Sequence, residues 1–584
     1  MSKLTEKVLF KTITKYLIHY KRYLVLGGIA VILSNVLILI IPYLTKLVFN
    51  ALENSEPKSV ILKYVLFMII LATLSGLFRF SMRRTIIWMS RYIEYDLRGE
   101  VFGHLMRLSP TFYHQNRTGD LMARMTNDLE AVRQMIGPGI MYISDTIVKL
   151  TVSLGFMIYL SPKMTLYAII PLIVMPFGVN LIGNILHERS MRVQEKFSEL
   201  TAESQENLSG IRVVKAYRQE DNIVNNFSLL SKSYIKLNMA LAKIQGLFIP
   251  SMRLVAGISY LIVFYFGGLE IIRGQLSLGD IVAYFGYLAM ILWPMIAIGW
   301  VTSLYQRGKA SLERINTVLH SSSDIWDDEK TSSEKEIKGK IEFKNLNFAY
   351  NGTKILKNIN LVIEPGQTIG LVGKTGCGKT TLVSLLARLF KVENGMLFID
   401  DVDINNWTLE SLRKQIGFAP QEPFLFSDTL LDNIKFGKET ASQIEVEKAA
   451  TVAALKIDID SFQNGFDTIV GERGITLSGG QKQRTAIARA VLTKPSILIL
   501  DDVTSAVDTE TEDIINEQIQ HVLHGRTSII ISHRMSSVKE ADLILYLEDG
   551  AIAEKGNHDE LIALNGQYAK LYRSQLLEEE LERL

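Results

Sequence analysis

The sequence is poor in cysteine and has almost no net charge. Its 584 residues include a single cysteine, Cys377, and the formal net charge is +2. One cysteine excludes an intramolecular disulfide framework, and the lack of a basic excess argues against a nucleic-acid-binding protein. The mean hydropathy of +0.18 is nevertheless high for a chain with 21% charged residues. The apolar residues must therefore be concentrated in one part of the chain.

They are concentrated in the first half, in stretches long enough to cross a bilayer as helices, which takes about 20 residues. The stretches lie near 23–45, 60–80, 135–160, 164–187, 246–271 and 280–304. Buried core helices are the alternative, which the length and number of the stretches disfavour. We therefore predict an all-α transmembrane domain of six helices.

Charge placement predicts the orientation of these helices. Lysine and arginine are frequent before the first stretch and in the connection after the second, whereas the connections 51–58, 161–163 and 270–279 are short. The positive-inside rule then places both ends of the chain in the cytoplasm. Basic residues run up to the first span, so we expect no cleavable signal peptide. Because only a short segment precedes that span in this sequence, we expect no additional protease or substrate-docking domain there.

The two long cytoplasmic connections, roughly 81–134 and 188–245, are rich in helix-forming residues and have few breakers. They predict helices that run on from the membrane into the cytoplasm and back. Two breaks, QNRTGDL (115–121) and AYRQEDN (216–222), are the predicted turns at the tips of these helical hairpins.

The composition of the sequence becomes less apolar after Trp300. Residues 320–338 are polar and rich in breakers, which predicts a linker. From 339 onward short β-branched runs alternate with helical patterns, which predicts an α/β domain with a largely parallel sheet. The predicted domains are therefore 1–319 in the membrane, the linker 320–338, and 339–584.

A phosphate-binding loop lies in the second domain. The run GKTGCGKTT (373–381) follows a strand, precedes a helical pattern, and fits G-x-x-x-x-G-K-[ST] with Gly373, Gly378, Lys379 and Thr380. The glycines let backbone N–H groups surround phosphates, Lys379 reaches the terminal phosphates, and the Thr380 hydroxyl can bind Mg²⁺. The strand SILILD (496–501) ends in Asp501, the expected position of a carboxylate that holds Mg²⁺.

A second anion-binding helix start is present at LSGGQKQRTAIARA (477–490). One nucleotide needs only one phosphate loop. We infer that this second site serves a nucleotide bound by a different chain.

These motifs resemble those of the ATP-binding-cassette transporters, and specifically of exporter half-transporters, over nearly the whole chain. The further matching motifs are Tyr350 before the phosphate loop, Gln421 in FAPQEPFLF, GERGITLSGGQ (471–481), SAVD (505–508) and His533 in IIISHR. In the first half, FYHQNRTGDLMARMTNDLEAVR (112–133) and ENLSGIRVVKAYRQED (206–221) resemble the two intracellular hairpins of the family.

The resemblance implies an ABC-type P-loop ATPase domain that binds ATP and Mg²⁺. It also implies a dimer, in which two chains of six spans each form a transmembrane region of twelve helices. Nucleotide contacts are implied for Tyr350, Gly373, Gly376, Cys377, Gly378, Lys379, Thr380 and Thr381, and, toward the partner's nucleotide, for Ser478, Gly479, Gly480 and Gln481. Thr380, Gln421 and Asp501 are the implied metal site, and Asp502, His533 and Gln421 the implied catalytic residues. Cys377 lies at a tolerant position and is not expected to be catalytic.

The residue after Asp501 departs from the family pattern. The family usually has a glutamate that orients or deprotonates the attacking water, and this chain has Asp502, which is shorter by one methylene. Because positioning is most of what a protein contributes to phosphoryl transfer, we expect slow hydrolysis at this site. With an intact LSGGQ, this pattern favours the slow-site half of a heterodimer. The retained His533, which is often lost from slow sites, leaves a homodimer that uses Asp502 as one alternative. An ATP-gated channel or regulatory subunit is another, since a weak ATPase that holds ATP suits gating.

The sequence says little about the transported substrate. Asp145 and Lys149 lie four residues apart in the third apolar stretch, as a mutual ion pair or as substrate contacts. Arg253 lies near the start of the fifth apolar stretch, at the predicted membrane boundary. Trp293 and Trp300, in the sixth stretch, could line a cavity or lie in an interfacial aromatic belt. An amphipathic small molecule or a lipid is the substrate class that the resemblance implies.

Overall fold

A computed structural model of the chain describes residues 6–327, 336–350, 352–471, 474–505 and 509–583. It divides into two compact units. The first contains the chain up to Met106 together with Arg117–Ser321, and the second contains Arg107–Asn116 and the chain from Ser322 onward.

The first unit is entirely helical. Its helices are α1 (Glu6–His19), α2 (Lys21–Leu39), α3 (Ile41–Glu53), α4 (Lys58–Leu105), α6 (Thr118–Ala123), α7 (Leu129–Gln134), α8 (Ile140–Leu160), α9 (Pro162–Ser209), α10 (Ile211–Ala216), α11 (Glu220–Ile272) and α12 (Leu278–Leu319). Among the described residues six helical segments are long and apolar enough to cross a membrane. The predicted six-helix transmembrane domain is therefore confirmed.

Buried apolar side chains hold these helices together. Leu39 of α2, Met157 of α8, Leu172 of α9 and Tyr284 and Tyr287 of α12 belong to one buried cluster. The same helices expose many large apolar residues, as expected where the surrounding solvent is lipid rather than water.

The predicted long cytoplasmic helices are present, but the first turn lies earlier than predicted. The short helix α5 (Pro110–Gln115) occupies the tip, and the chain is already helical again from Thr118. Pro110 stands in the first turn of α5, where its missing N–H costs nothing. In the second hairpin the break between Ala216 and Glu220 falls inside the predicted stretch.

The second unit contains two sheets. Its strands are β1 (Ile341–Tyr350), β2 (Thr353–Ile363), β3 (Thr368–Gly373), β4 (Leu397–Ile399), β5 (Val402–Asp403), β6 (Ile416–Ala419), β7 (Ile497–Asp501), β8 (Thr527–Ile531), β9 (Leu543–Glu548) and β10 (Ala551–Gly556). The central sheet has the order β10-β9-β3-β8-β7-β6 and is parallel except for the β10–β9 pair. This confirms the predicted parallel sheet. A second, antiparallel sheet of order β2-β1-β4-β5 was not predicted.

Between β3 and the end of the described residues, the second unit also contains α-helices. They are α13 (Lys379–Leu386), α14 (Leu409–Lys414), α15 (Leu430–Lys435), α16 (Gln443–Val452), α17 (Lys456–Ser461), α18 (Gly479–Leu492), α19 (Thr509–Leu523), α20 (His558–Leu564) and α21 (Gln567–Arg583). Strands β3, β7 and β8 lie side by side, so the residues that follow their carboxyl ends meet at one edge of the sheet. The predicted phosphate loop, Asp501 and His533 all follow these strands.

Candidate functional site

The phosphate loop connects β3 to α13. Gly373 and Gly378 both have positive φ values, 145° and 104°. A Cβ at Gly373 would lie 2.3 Å from the Leu547 carbonyl oxygen, and one at Gly378 would lie 2.8 Å from Leu356 Cδ2. Both positions therefore require glycine for conformational and steric reasons.

Lys379 is folded back onto this loop. Its side chain is buried, and Nζ donates to the carbonyl oxygens of Gly373 over 2.7 Å and of Lys374 over 3.0 Å. The Cys377 thiol is also buried and lies 3.9 Å from the same Nζ. The loop thus holds one ammonium group at the position where phosphate oxygens would enter.

Asp501 ends β7 and is 1% exposed. Its Oδ1 accepts from the Thr380 hydroxyl over 3.2 Å, whereas its buried Oδ2 has no hydrogen-bond partner among the described residues. Burial raises the pKa of the carboxyl, the Thr380 hydrogen bond lowers it, and the charges of Asp502 and Lys379 act in opposite directions. A buried carboxylate oxygen without a donor, beside a hydroxyl, is what a Mg²⁺ site requires.

Asp502 is held in one place from several directions. Its backbone is left-handed with φ 50°, a conformation in which aspartate is enriched, and its N–H donates to the Ile531 carbonyl over 2.8 Å. Its Oδ2 accepts from Gln421 Nε2 over 3.2 Å, and its Oδ1 lies 3.4 Å from the His533 backbone nitrogen. Gln421, Asp502 and His533 therefore meet around a single carboxylate.

Tyr350 closes the other end of the site. Its ring packs edge-on against Phe390 and Phe348, with centroid distances of 5.0 and 4.9 Å. Burial raises the pKa of the Tyr350 hydroxyl, and a hydrogen bond with the Thr381 side chain lowers it. The tyrosine is thus fixed by contacts on one side.

A cleft of about 200 Å³ brings most of the predicted site residues together. It is lined by Tyr350, Gly376, Gly378, Lys379, Thr380, Thr381, Gln421, Asp501, Asp502 and His533, with Ile355, Thr375 and Ile531. Gly373 and Cys377 lie beside it through their contacts with Lys379. The predicted residues Ser478, Gly479, Gly480 and Gln481 are not among those that line it.

The comparisons with known proteins agree on one family. Residues 24–295 match the family model of the ABC transporter transmembrane region, and residues 356–505 match that of the ABC transporter domain. The chain is 39% identical over 576 residues to the probable multidrug resistance ABC transporter ATP-binding/permease protein YheI of Bacillus subtilis, covering 97% of this chain and 98% of that protein. The chain belongs to the ABC transporter family.

Other relatives indicate an exporter. The multidrug resistance-like ATP-binding protein MdlA of Escherichia coli is 36% identical over 568 residues, which cover 96% of each chain. The ATP-dependent lipid A-core flippase of Desulfotalea psychrophila is 33% identical over 576 residues, covering 98% of this chain and 100% of that protein. A solved structure of a bacterial Atm1-family ABC exporter with ATP bound superposes with a TM-score of 0.79 and 27% identity over 95% of this chain and 99% of that one. The chain is therefore a multi-pass ABC exporter whose ATPase domain binds and hydrolyses ATP.

The LSGGQ segment of this ABC transporter begins α18 away from the cleft. Ser478 caps the helix by accepting from the Gln481 N–H over 3.2 Å, and Gln481 Oε1 accepts from the Ser478 N–H over 3.0 Å. Ser478 and Gly479 are exposed. The start of this helix is therefore open to a ligand from outside. In the preceding GERGITLSGGQ run residues 472–473, and in SAVD residues 506–508, lie outside the described residues.

Asp145 and Lys149 of the transporter form a mutual ion pair, one of the two interpretations that their spacing left open. Lys149 Nζ donates to Asp145 Oδ2 over 2.7 Å, and the two side chains are only 13% and 12% exposed. Arg253 is exposed on α11, whereas Trp293 and Trp300 are 58% and 44% exposed on α12. The structure thus supplies a mutual partner for Asp145 and Lys149.

Sequence reasoning missed two residues that support the site. Gln483 of α18 donates to the Asp502 carbonyl over 3.4 Å and to the Ser505 hydroxyl over 2.9 Å. Glu512 of α19, which is 1% exposed, accepts from the residues that follow His533. Gln483 lies in the LSGGQKQRTAIARA run but had no role assigned to it, and Glu512 lies in none of the motifs, so only the folded structure reveals their contacts.

Proposed function

We propose that this exporter binds Mg²⁺·ATP in its own cleft, hydrolyses it slowly, and works as the slow-site half of a heterodimer. The observation that carries the proposal is the fixed carboxylate of Asp502. Its backbone conformation, the Gln421 amide and the His533 N–H all restrain it. It therefore has little freedom to make up for a side chain one methylene shorter than glutamate.

The cleft has residues suited to each part of a nucleotide, from the adenine to the terminal phosphate. Tyr350 presents a ring for the adenine, the phosphate loop presents backbone N–H groups, and Lys379 exchanges its carbonyl partners for phosphate oxygens. The Thr380 hydroxyl, Asp501 and the Gln421 side chain would hold Mg²⁺. When bound, the ion neutralises charge on the terminal phosphates.

The slow rate follows from the position of Asp502. A displacement of about 1 Å between a catalytic group and its target can cost about 10²-fold in rate. Asp502 would then act on the attacking water from too far away, while Gln421 and His533 still contact the nucleotide. The site would hold ATP well and turn it over slowly.

A second chain is needed to complete the nucleotide sites. Ser478 and Gly479 are exposed at the start of α18 and do not line this chain's cleft. Phe424, Phe426 and Phe436 form an exposed aromatic cluster, being 53%, 43% and 63% exposed. Surfaces of this kind usually mark protein interfaces. An intact LSGGQ beside a substituted glutamate favours an unlike partner with a competent site.

The substrate class is an amphipathic small molecule or a lipid. A groove of about 430 Å³ between α8 and α12 is lined by Ile143, Thr146, Ile147, Leu150, Ile298, Val301, Thr302 and Tyr305. Its lining is mostly apolar and carries three hydroxyl groups, which suits a ligand with apolar and polar parts. The relatives named for multidrug resistance and lipid A-core flipping fit the same class.

The orientation and the domain boundaries are part of the same proposal. The basic residues before the first span and after the second favour a cytoplasmic location for both termini. Helix α12 ends at Leu319 and β1 begins at Ile341, which supports a membrane domain over 1–319 and a nucleotide-binding domain over 339–584. Of the linker 320–338, residues 328–335 lie outside the described residues.

Two single substitutions test which of the two ATP sites in the proposed heterodimer hydrolyses ATP. The chain is co-expressed with a second ABC half-transporter that carries a glutamate at the position of Asp502, and ATP turnover of the pair is measured. Ser478→Arg blocks the helix start that serves the partner's site and should abolish turnover. Asp502→Asn alters only the slow site and should leave most of it. Abolition by both substitutions would instead indicate a dimer in which Asp502 is catalytic.

A further inference from the structure

The loop that carries His533 is held by the C-terminal helix α21. The side-chain amide of Gln575 bridges two backbone groups of this loop, with its Nε2 donating to the His533 carbonyl and its Oε1 accepting from the Met535 N–H over 2.9 Å. On the other side of the same residue, the His533 N–H faces Asp502 Oδ1 at 3.4 Å. The backbone of His533 is thus restrained at both its N–H and its carbonyl.

The rest of the loop has its own anchor. Glu512 of α19 is 1% exposed, and its Oε1 accepts from the hydroxyls of Ser536 and Ser537 over 2.9 and 2.8 Å. Its Oε2 accepts from the Arg534 guanidinium. A buried carboxylate with three donors is well satisfied. This anchor holds Arg534, Ser536 and Ser537 but has no contact with the His533 peptide groups that Gln575 and Asp502 hold.

Helix α21 is itself fixed to the domain, so Gln575 can act as a rigid support. Glu554 of β10 accepts from the N–H groups of Gln567 and Tyr568, over 2.5 and 3.1 Å, at the start of the helix. Tyr568 is fully buried, and its hydroxyl lies 2.8 Å from His558 Nδ1. Gln575 lies eight residues after Gln567, a rise of about 12 Å along the helix, which carries the amide to the loop.

We propose that Gln575 is a positioning residue for His533 and that the C-terminal helix is thereby part of the ATP site. The amide keeps the His533 side chain at the cleft, where it lines the space for the terminal phosphate. This inference rests on the proposed function, in which His533 contacts that phosphate. Loss of the amide releases the histidine without removing any group that touches the nucleotide.

The test compares nucleotides that differ in the terminal phosphate. The full-length protein is titrated with a fluorescent non-hydrolysable ATP analogue and with fluorescent ADP, both with Mg²⁺. Gln575→Met is similar in shape and lacks both hydrogen-bonding groups of the amide. It should weaken binding of the ATP analogue about three- to tenfold, the size expected for loss of the one hydrogen bond between His533 and the terminal phosphate. ADP binding should not change. Arg573→Met, at an exposed position of the same helix, is the matched control and should change neither.

Two further variants separate positioning from general stability. Gln575→Glu keeps an acceptor for the Met535 N–H but puts a carboxylate oxygen against the His533 carbonyl, which is repulsive, and should weaken binding of the ATP analogue at least as much as Gln575→Met. If Gln575 acts through the histidine, the double variant Gln575→Met/His533→Ala should bind no more weakly than His533→Ala alone. Hydrogen exchange of the Met535 amide should also be faster in Gln575→Met.

The outcomes are distinguishable. Three results would overturn the positioning role of Gln575 while leaving the proposed role of His533 intact. They are equal weakening of ADP binding and ATP-analogue binding, additive effects in the double variant, and an unchanged exchange rate of the Met535 amide. If His533→Ala itself leaves the preference for ATP over ADP unchanged, the proposed role of His533 fails, and the inference about Gln575 fails with it.

Discussion

Replacing Asp501 by asparagine should stabilise the nucleotide-free protein while removing its response to Mg²⁺. The buried Oδ2 of Asp501 has no donor among the described residues, so the ionised carboxylate is costly in the folded state. Asparagine keeps an oxygen that can accept from the Thr380 hydroxyl and carries no charge. The side-chain NH2 takes the place of Oδ2, so the gain comes from removing the buried charge, and it is worth about 1–2 kcal/mol.

The pH dependence has a definite sign. Burial raises the pKa of the Asp501 carboxyl, so its contribution to folding stability is present at low pH and is lost as the pH rises through the folded-state value. The gain from asparagine should therefore be largest near neutral pH. It should shrink as the pH falls below that pKa, because the wild-type carboxyl then becomes neutral.

The assay is thermal unfolding of the full-length protein in EDTA, in ATP with EDTA, and in ATP with Mg²⁺. In EDTA the midpoint of the nucleotide-binding domain should rise by about 3–6 °C in Asp501→Asn, as expected for a domain of this size. Mg²⁺ should then raise the midpoint further in the wild type only, by ligand linkage. Asp513→Asn, at an exposed position on α19, is the control. A lower midpoint in EDTA, or a full Mg²⁺ response in Asp501→Asn, would refute the assignment.

Two other tests concern the adenine end of the nucleotide cleft and the ion pair of the membrane domain. Tyr350→Ala should weaken ATP binding about tenfold through the loss of a stacking ring, whereas Tyr350→Phe should bind ATP nearly as well; equal losses in a filter-binding assay would argue against stacking. Lys149→Met should lower the unfolding midpoint of the membrane domain more than the double variant Asp145→Asn/Lys149→Met, because the single change leaves a buried charge unpaired; the reverse order would show that the pair is not a mutual one.

Local features of the fold could be predicted from the sequence. The phosphate loop, the strand that ends in Asp501 and the four-residue spacing of Asp145 and Lys149 each depend on residues that are neighbours in the chain. Apolar length alone was enough to identify the membrane helices. The first hairpin turn was placed late because QNRTGDL has the composition of a turn, yet Thr118–Leu121 is helical in the structure.

Contacts between distant residues could not be predicted. The hydrogen bond between Gln421 and Asp502 joins positions 81 residues apart, and the one between Gln575 and His533 joins positions 42 apart. Neither Gln575 nor Glu512 belongs to a recognisable pattern. The antiparallel sheet escaped prediction because β2 and β5 carry mixed polar and apolar residues and pair through turns.

The slow-site proposal is tested most directly by ATP turnover of the purified chain, alone and co-expressed with a half-transporter that carries a glutamate at the position of Asp502, for the wild type and for Asp502→Glu. The proposal predicts negligible turnover by the chain alone and full turnover by the pair. Asp502→Glu should then raise the rate of the chain alone toward that of a competent site, because the added methylene restores the reach of the carboxylate. Full turnover by the wild-type chain alone, unchanged or lowered by Asp502→Glu, would contradict the proposal and make Asp502 a working catalytic residue.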